Sequence, residues 1–272
     1  MRKLVLFLAV LTVFVLIGCG SSRRSDSTSI PTPPPTPTPP PDNSPPYGGT
    51  VFINPNIITD ADLSTFQSLT ETGRGERLMF DRRSNSFNTV QNVFLFDAFY
   101  DNGTVVEIQV NPEFATVDAA EEQALLYATA IGRIPDTLFN DLETVWIHRG
   151  NELFGGGNNN ILIHTEQGQE YIKGGWLEEV LVHESAHTSL DANHAKTQGW
   201  IDAQNNDNRF ISTYARDNPF REDIAESFLV FLALDYLSYR LTVEQENTIR
   251  EVMPNRLNYF RQANLDMFPY QQ

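Results

Sequence analysis

Residues 183–187 read HESAH, and the sequence around them predicts a helix. Positions i and i+4 of an α-helix lie one above the other, so the imidazoles of His183 and His187 are placed to bind one zinc ion. Glu184 lies between them, close enough to take a proton from a water on that ion. A solvated helix with two surface histidines is the alternative. The spacing therefore predicts a helix built around a metal site.

The residues that flank this pattern predict that its helix is buried on most sides. Glu178 and Glu179 fall in the first turn, where the helix dipole favours acids. The apolar residues of the segment are Trp176, Val180, Leu181, Val182, Ala186 and Leu190. Polar groups in a dry core are costly unless they are satisfied, and a metal ion in a cleft would satisfy them.

A catalytic zinc site needs a third protein ligand, and His194 is the first candidate downstream. The metzincin pattern would require glycine at position 190 and histidine at position 193. The chain has Leu190 and Asn193 there, so His194 is one residue out of register. We therefore interpret His194 as a loop histidine.

The second candidate lies in residues 219–239, which predict another amphipathic helix. Asn218 can cap this helix and Pro219 suits its first turn. Glu222 and Glu226 are four residues apart and share a face. One carboxylate could bind zinc while the other accepts a hydrogen bond from the free nitrogen of a histidine ligand. A solvated acidic helix start is the alternative.

Together these two motifs resemble those of the gluzincin metallopeptidases. The motifs are closest to the catalytic domain of the anthrax-lethal-factor type, in which a YGRTN segment runs into a helix that reads EFFAEAF. This chain has STYARDN at residues 212–218 and EDIAESF at residues 222–228. One additional residue separates the tyrosine from the first glutamate. The resemblance covers residues 175–232.

The resemblance implies a role for each polar residue of these motifs. The implied roles are zinc ligation by His183, His187 and Glu222, general-base catalysis by Glu184, oxyanion stabilisation by Tyr214 and orientation of a ligand by Glu226. The implied reaction is hydrolysis of a peptide bond, with Zn²⁺ as the cofactor and a protein or peptide as the substrate.

The remaining sequence predicts a mixed α+β domain. Turn residues between periodic segments predict a hairpin over 93–100 and 104–110, a helix over 117–131, strands at 143–148 and 160–164, and a final helix over 242–262 that is interrupted near Pro254. The glycine-rich residues 155–160 predict a flexible loop, and a plain hairpin connection is the alternative. We interpret His148 and His164, in the two strands, as structural or close to the substrate and not as ligands.

By the same resemblance, this order implies a zincin-like fold. Such a fold has a mixed sheet, a backing helix at 117–131, an active-site helix at 176–189 and the glutamate helix downstream. The analogy makes residues 161–165 an edge strand that pairs with an extended substrate, because strand addition to a sheet edge is a general mode of peptide binding.

The N-terminus predicts export. Residues 1–3 are basic, residues 4–17 are apolar, and LIGC at residues 16–19 resembles the bacterial lipobox. This predicts a signal peptide over 1–18, a lipidated Cys19, a Pro/Thr-rich linker over 19–48 and a metallopeptidase domain over 49–272. An ordinary cleaved secretory peptide is the alternative. Cys19 is the only cysteine, so the domain has neither disulfides nor thiolate ligands.

The net charge of −16 argues against nucleic acid and against a polybasic membrane contact. The expected partners are a peptide substrate and, through the N-terminal lipid, a membrane; we expect a monomer. The sequence favours a lipid-anchored zinc endopeptidase of the bacterial cell envelope, at the outer membrane or cell surface if the cell is Gram-negative. A surface lipoprotein with a structural or vestigial zinc site is the alternative. Another zinc hydrolase acting on wall peptides or an amide also stays open.

Overall fold

A computed structural model describes residues 43–51, 54–55 and 57–270, and these residues belong to one compact unit. The predicted signal peptide, Cys19 and most of the predicted linker lie outside the described residues. Among the residues that are described, no helix has both the length and the apolar character needed to cross a membrane.

Six strands of the described chain form one mixed sheet, in the order β1-β2-β3-β4-β6-β5. The strands are β1 (Phe66–Asp81), β2 (Ser86–Tyr100), β3 (Val105–Val110), β4 (Thr144–His148), β5 (Gly155–Gly157) and β6 (Asn160–His164). β3, β4 and β6 run parallel, whereas the β1–β2, β2–β3 and β5–β6 pairs are antiparallel. The prediction of a mixed α+β domain is confirmed, and so is the predicted hairpin, although β2 begins earlier.

The predicted edge strand at residues 161–165 is wrong. β6 is paired on both sides, with β4 and with β5, and Thr165 already begins a helix. The edge strand on this side of the sheet is β5, which lies within the predicted loop at 155–160. Asn158 and Asn159 have φ values of 51° and 59°, a left-handed conformation that asparagine tolerates. They turn the chain back on itself, so the glycines before them pair with β6.

Eight helices accompany the sheet in the described part of the chain. They are α1 (Val117–Ile131), α2 (Thr165–Gly174), α3 (Leu177–Ser189), α4 (Gln198–Asn206), α5 (Thr213–Asp217), α6 (Asp223–Tyr236), α7 (Val243–Val252) and α8 (Pro254–Gln262). The predicted helices at 117–131 and 176–189 are confirmed, and the final helix is interrupted at Met253, directly before Pro254. α1 packs on β1, β2 and β3, while α3 contacts β5, β6, α1 and α6.

The predicted start of the glutamate helix is wrong, since α6 begins at Asp223 and not at Pro219. The carbonyl oxygen of Asn218 accepts hydrogen bonds from the amides of Arg221 (3.1 Å) and Glu222 (2.9 Å), which closes a turn. The side chain of Asn218 donates to the Tyr214 carbonyl oxygen at 3.2 Å. It therefore connects to α5 and does not cap α6.

A buried ion-pair cluster fixes the first turn of α6. Arg256 of α8 is fully buried, and its guanidinium lies 2.9 Å from Asp207 Oδ2 and 2.5 Å from Asp223 Oδ1. Asp207 follows the end of α4, and Asp223 is the first residue of α6. The cluster therefore ties three helices together beside Glu222.

We expect Arg256→Met to lower the free energy of unfolding by about 3–5 kcal/mol, because it leaves two buried carboxylates without their cation. Arg261→Met is the matched control on the same helix. Its partner Asp235 lies 2.6 Å away at a more exposed position, and such pairs contribute about 0–1 kcal/mol. Urea unfolding at pH 7 measures both, and equal losses would contradict a special role for the cluster.

Candidate metal centre

Three side chains converge at the contact between α3 and α6. The Nε2 atoms of His183 and His187 are 3.2 Å apart, and Glu222 Oε2 lies 3.4 Å from the first and 2.9 Å from the second. All three residues are buried, and one ligand atom from each lies within 4.8 Å of the others. The group can therefore hold a metal ion. Two imidazole nitrogens with one carboxylate oxygen are a donor set typical of catalytic zinc sites.

Local structure explains this convergence. His183 and His187 are one helical turn apart on α3, as their spacing predicts. Glu222 immediately precedes α6, with its amide bonded to Asn218 and its carbonyl oxygen accepting from the Glu226 amide at 3.0 Å. The position of Glu222 is thus set by the turn that starts α6.

Each imidazole also has a carboxylate beside its other nitrogen. His183 Nδ1 lies 3.4 Å from Glu226 Oε1, and His187 Nδ1 lies 3.2 Å from Asp191 Oδ2. Such partners fix the orientation and tautomer of metal-binding histidines. Sequence reasoning identified Glu226 but missed Asp191. The four-residue spacing from His187 to Asp191 was the available signal.

The other oxygen of Glu226 connects the site to the N-terminal part of the domain. Oε2 accepts hydrogen bonds from the Val51 amide (2.7 Å) and the Ser212 hydroxyl (2.6 Å). Tyr47 forms a parallel bridge with Ser212, and its carbonyl oxygen accepts from the Thr213 amide at 2.9 Å. Residues 47–51 therefore help to hold the carboxylate that faces His183.

The side chains of His187 and Glu222 shift each other's pKa. Burial alone would lower the pKa of His187, but hydrogen bonds to Asp191 and Glu222 outweigh it and raise that pKa to about 10. Burial would raise the pKa of Glu222, yet hydrogen bonds from His183 and His187 hold it well below its usual range. The carboxylate of Glu222 is therefore ionised at neutral pH. Metal binding must therefore displace a proton from His187 at neutral pH.

A cavity of about 190 Å³ opens directly onto this group. Every residue of α3 is buried except Glu184, which is partly exposed and lines the cavity. β5 forms another part of the lining through Gly156. A side chain at this position would overlap the carbonyl oxygen of Glu184, so glycine allows the edge strand to approach α3.

Tyr214 of α5 lines the same cavity and is 37% exposed. Burial, the charge of Glu222 and a hydrogen bond to Glu222 together raise the pKa of Tyr214 to about 12. Its hydroxyl therefore stays protonated at neutral pH and can donate. The additional residue between Tyr214 and Glu222 does not remove the tyrosine from the site.

The remaining histidines lie outside the group. His194 Nδ1 is 2.8 Å from the Tyr259 hydroxyl. His148 and His164 are fully buried in β4 and β6, with ring centroids 5.5 Å apart. Burial lowers the pKa of His148 to about 4, so this imidazole is neutral at pH 7. The contacts of all three fit structural roles.

Comparisons of the chain with protein-family models, curated proteins and solved structures find no match. The resemblance to gluzincins therefore depends on the two sequence motifs alone.

We predict that the purified protein binds about one zinc ion per chain, the stoichiometry of a mononuclear site. Elemental analysis should show that zinc is lost from His183→Ala/His187→Ala and greatly reduced in Glu222→Ala. Glu226→Gln should weaken zinc binding by only ~10–100-fold, because it alters a partner of a ligand and not a ligand. His194→Ala is the matched control. Loss of zinc from that control with retention in Glu222→Ala would overturn the assignment.

Proposed function

We propose that this protein is a zinc-dependent metalloendopeptidase with a zincin-like fold. The observation that carries the proposal is the position of Glu184. It is the one residue of α3 that is not buried, and it enters the cavity beside His183, His187 and Glu222. A purely structural zinc site would need no open cavity and no carboxylate in it.

In the proposed mechanism, each polar residue of the cavity has a separate role in peptide hydrolysis. A zinc ion held by His183, His187 and Glu222 would lower the pKa of a bound water toward ~7 and would polarise a carbonyl group. Glu184 accepts the proton of the attacking water and delivers it to the leaving amine. The hydroxyl group of Tyr214 donates a hydrogen bond to the developing oxyanion. Glu226 and Asp191 hold the two imidazoles in place.

The substrate in this proposal is an extended peptide. β5 is one of the two edge strands of the described sheet and also lines the cavity, so one sheet edge lies next to the candidate metal ligands. Pairing with such an edge binds a peptide backbone without regard to its side chains.

We also propose attachment to the bacterial cell envelope through Cys19. The support is the sequence LIGC at residues 16–19 after a basic and then an apolar segment. Labelled palmitate should enter the wild type and not Cys19→Ser, because the predicted lipid anchor is attached through the Cys19 thiol. A native mature protein found free in the medium, starting at another residue, would contradict the proposal.

The proposed mechanism predicts that Glu184→Gln retains zinc and the fold but abolishes peptide cleavage, because the amide cannot accept a proton from water. Tyr214→Phe should retain zinc and lower kcat by ~10²–10³-fold, as expected for loss of one oxyanion donor. Cleavage of a proteome-derived peptide mixture, read by mass spectrometry, measures both variants against the wild type.

The zinc content of each variant is the control in this experiment. Wild-type cleavage by both variants would favour the alternative, a surface lipoprotein with a structural zinc site. Cleavage of amides that are not peptide bonds, with loss in Glu184→Gln, would instead favour another class of zinc hydrolase.

A further inference from the structure

An arginine in the turn between β1 and β2 lines the cavity of the candidate metal centre. Arg82 follows the last residue of β1, and its Nη2 donates to the Phe154 carbonyl oxygen at 2.7 Å, one residue before β5. Arg82 lines the cavity together with Glu184. A Cβ at Gly155 would come within 2.8 Å of the guanidinium, so the glycine leaves room for it.

This guanidinium has no carboxylate partner among the described residues. Most arginines in the described part of the chain form ion pairs, and the sequence has 35 acidic residues against 19 lysines and arginines. The neighbouring Arg83 forms ion pairs with Asp81 and Glu113, with its guanidinium nitrogens 2.8 Å from a carboxylate oxygen of each. Arg82 offers five N–H donors and one of its nitrogens is bonded. The remaining donors are available to a ligand.

A second cavity, of about 200 Å³, adjoins β5 and is lined by Phe80, Phe87 and Trp146. The ring centroids of Phe87 and Trp146 are 6.0 Å apart, and Phe87 is 55% exposed. Arg82, Gly156 and Arg221 line both this aromatic cavity and the metal-site cavity. A peptide paired with the edge of β5 would therefore pass the guanidinium of Arg82, which borders both cavities.

We propose that Arg82 binds a carboxylate of the substrate beside the cleaved bond, while the aromatic cavity receives an adjacent apolar side chain. This inference rests on the proposed peptidase function. Arginine binds carboxylates through paired hydrogen bonds, which gives both strength and orientation. The carboxylate comes from an Asp or Glu side chain or from the C-terminus of the substrate.

The negative field of the protein makes a local cation necessary for binding an acidic ligand. The net charge of −16, with Glu184 and Glu222 at the site, repels an acidic peptide unless a local cation compensates. A basic peptide would be attracted by that field, and Arg82 would then oppose its binding. The unbonded donors of Arg82 therefore supply, at the cavity, the positive charge that an anionic ligand would need.

The test uses zinc-loaded full-length protein and two pools of randomised decapeptides with both ends blocked. One pool has Glu or Asp at a single central position, and the other has Gln or Asn there. The wild type should cleave the acidic pool at least about tenfold faster, because hydrogen bonds to a charged group are roughly worth that factor or more. Glu184→Gln should bind the acidic pool with at least the wild-type preference, since it removes a negative charge from the cavity; this gives a readout that needs no turnover.

The preference should disappear in Arg82→Gln and persist in part in Arg82→Lys, which retains the charge but not the paired geometry. Arg250→Gln is the matched control, because it removes one positive charge at an exposed ion pair on α7. The control should retain the wild-type preference. An equal change in both variants would overturn the inference, since long-range charge would then explain the selectivity.

Peptides with a free C-terminus separate the two sources of carboxylate. A preference for them that does not depend on the central residue would assign Arg82 to the terminal carboxylate. Equal cleavage of both pools, blocked or free, overturns the inference while the proposed function stands. Selective binding that depends on Arg82 but is never followed by cleavage retains the carboxylate site and overturns the proposed function.

Discussion

The polar faces of α3 and of the start of α6 pack against each other in the interior. The rest of the domain must therefore supply partners for the polar groups buried at this contact. α3 contributes His183 and His187, while the start of α6 contributes Glu222 and Glu226, all of them buried. Charged groups removed from water are strongly unfavourable without partners. The surrounding elements therefore supply those partners: Asp191 beside one imidazole, the Val51 amide and the Ser212 hydroxyl on Glu226.

Features encoded within a few adjacent residues could be predicted from the sequence. α1 spans residues 117–131 as predicted, because Thr116 caps it and its apolar residues follow a helical period. The four-residue spacings of His183 with His187 and of Glu222 with Glu226 placed each pair on one face. Their convergence was expected from the need of a zinc site for a third ligand and from the resemblance, since no local pattern relates α3 to α6.

Features that depend on distant contacts were missed. Gly155–Gly157 has low strand propensity, and it is a strand because β6 and α3 accept a backbone without side chains at close range. Asn218 was expected to cap α6 and bonds to the Tyr214 carbonyl oxygen instead. Arg82 reaches Phe154 across 72 residues of sequence, and no spacing rule connects the tip of a hairpin to a metal site.

The bond between Glu226 and Val51 limits how the site could be moved between proteins. The residues that carry the motifs span 175–232, yet the carboxylate beside His183 depends on an amide 175 positions upstream. A transplant of α3 and α6 alone would leave that carboxylate short of a donor in a buried place. A transferred site would need residues 47–51 as well. The segment that could be inherited or engineered as a whole is therefore nearly the entire domain.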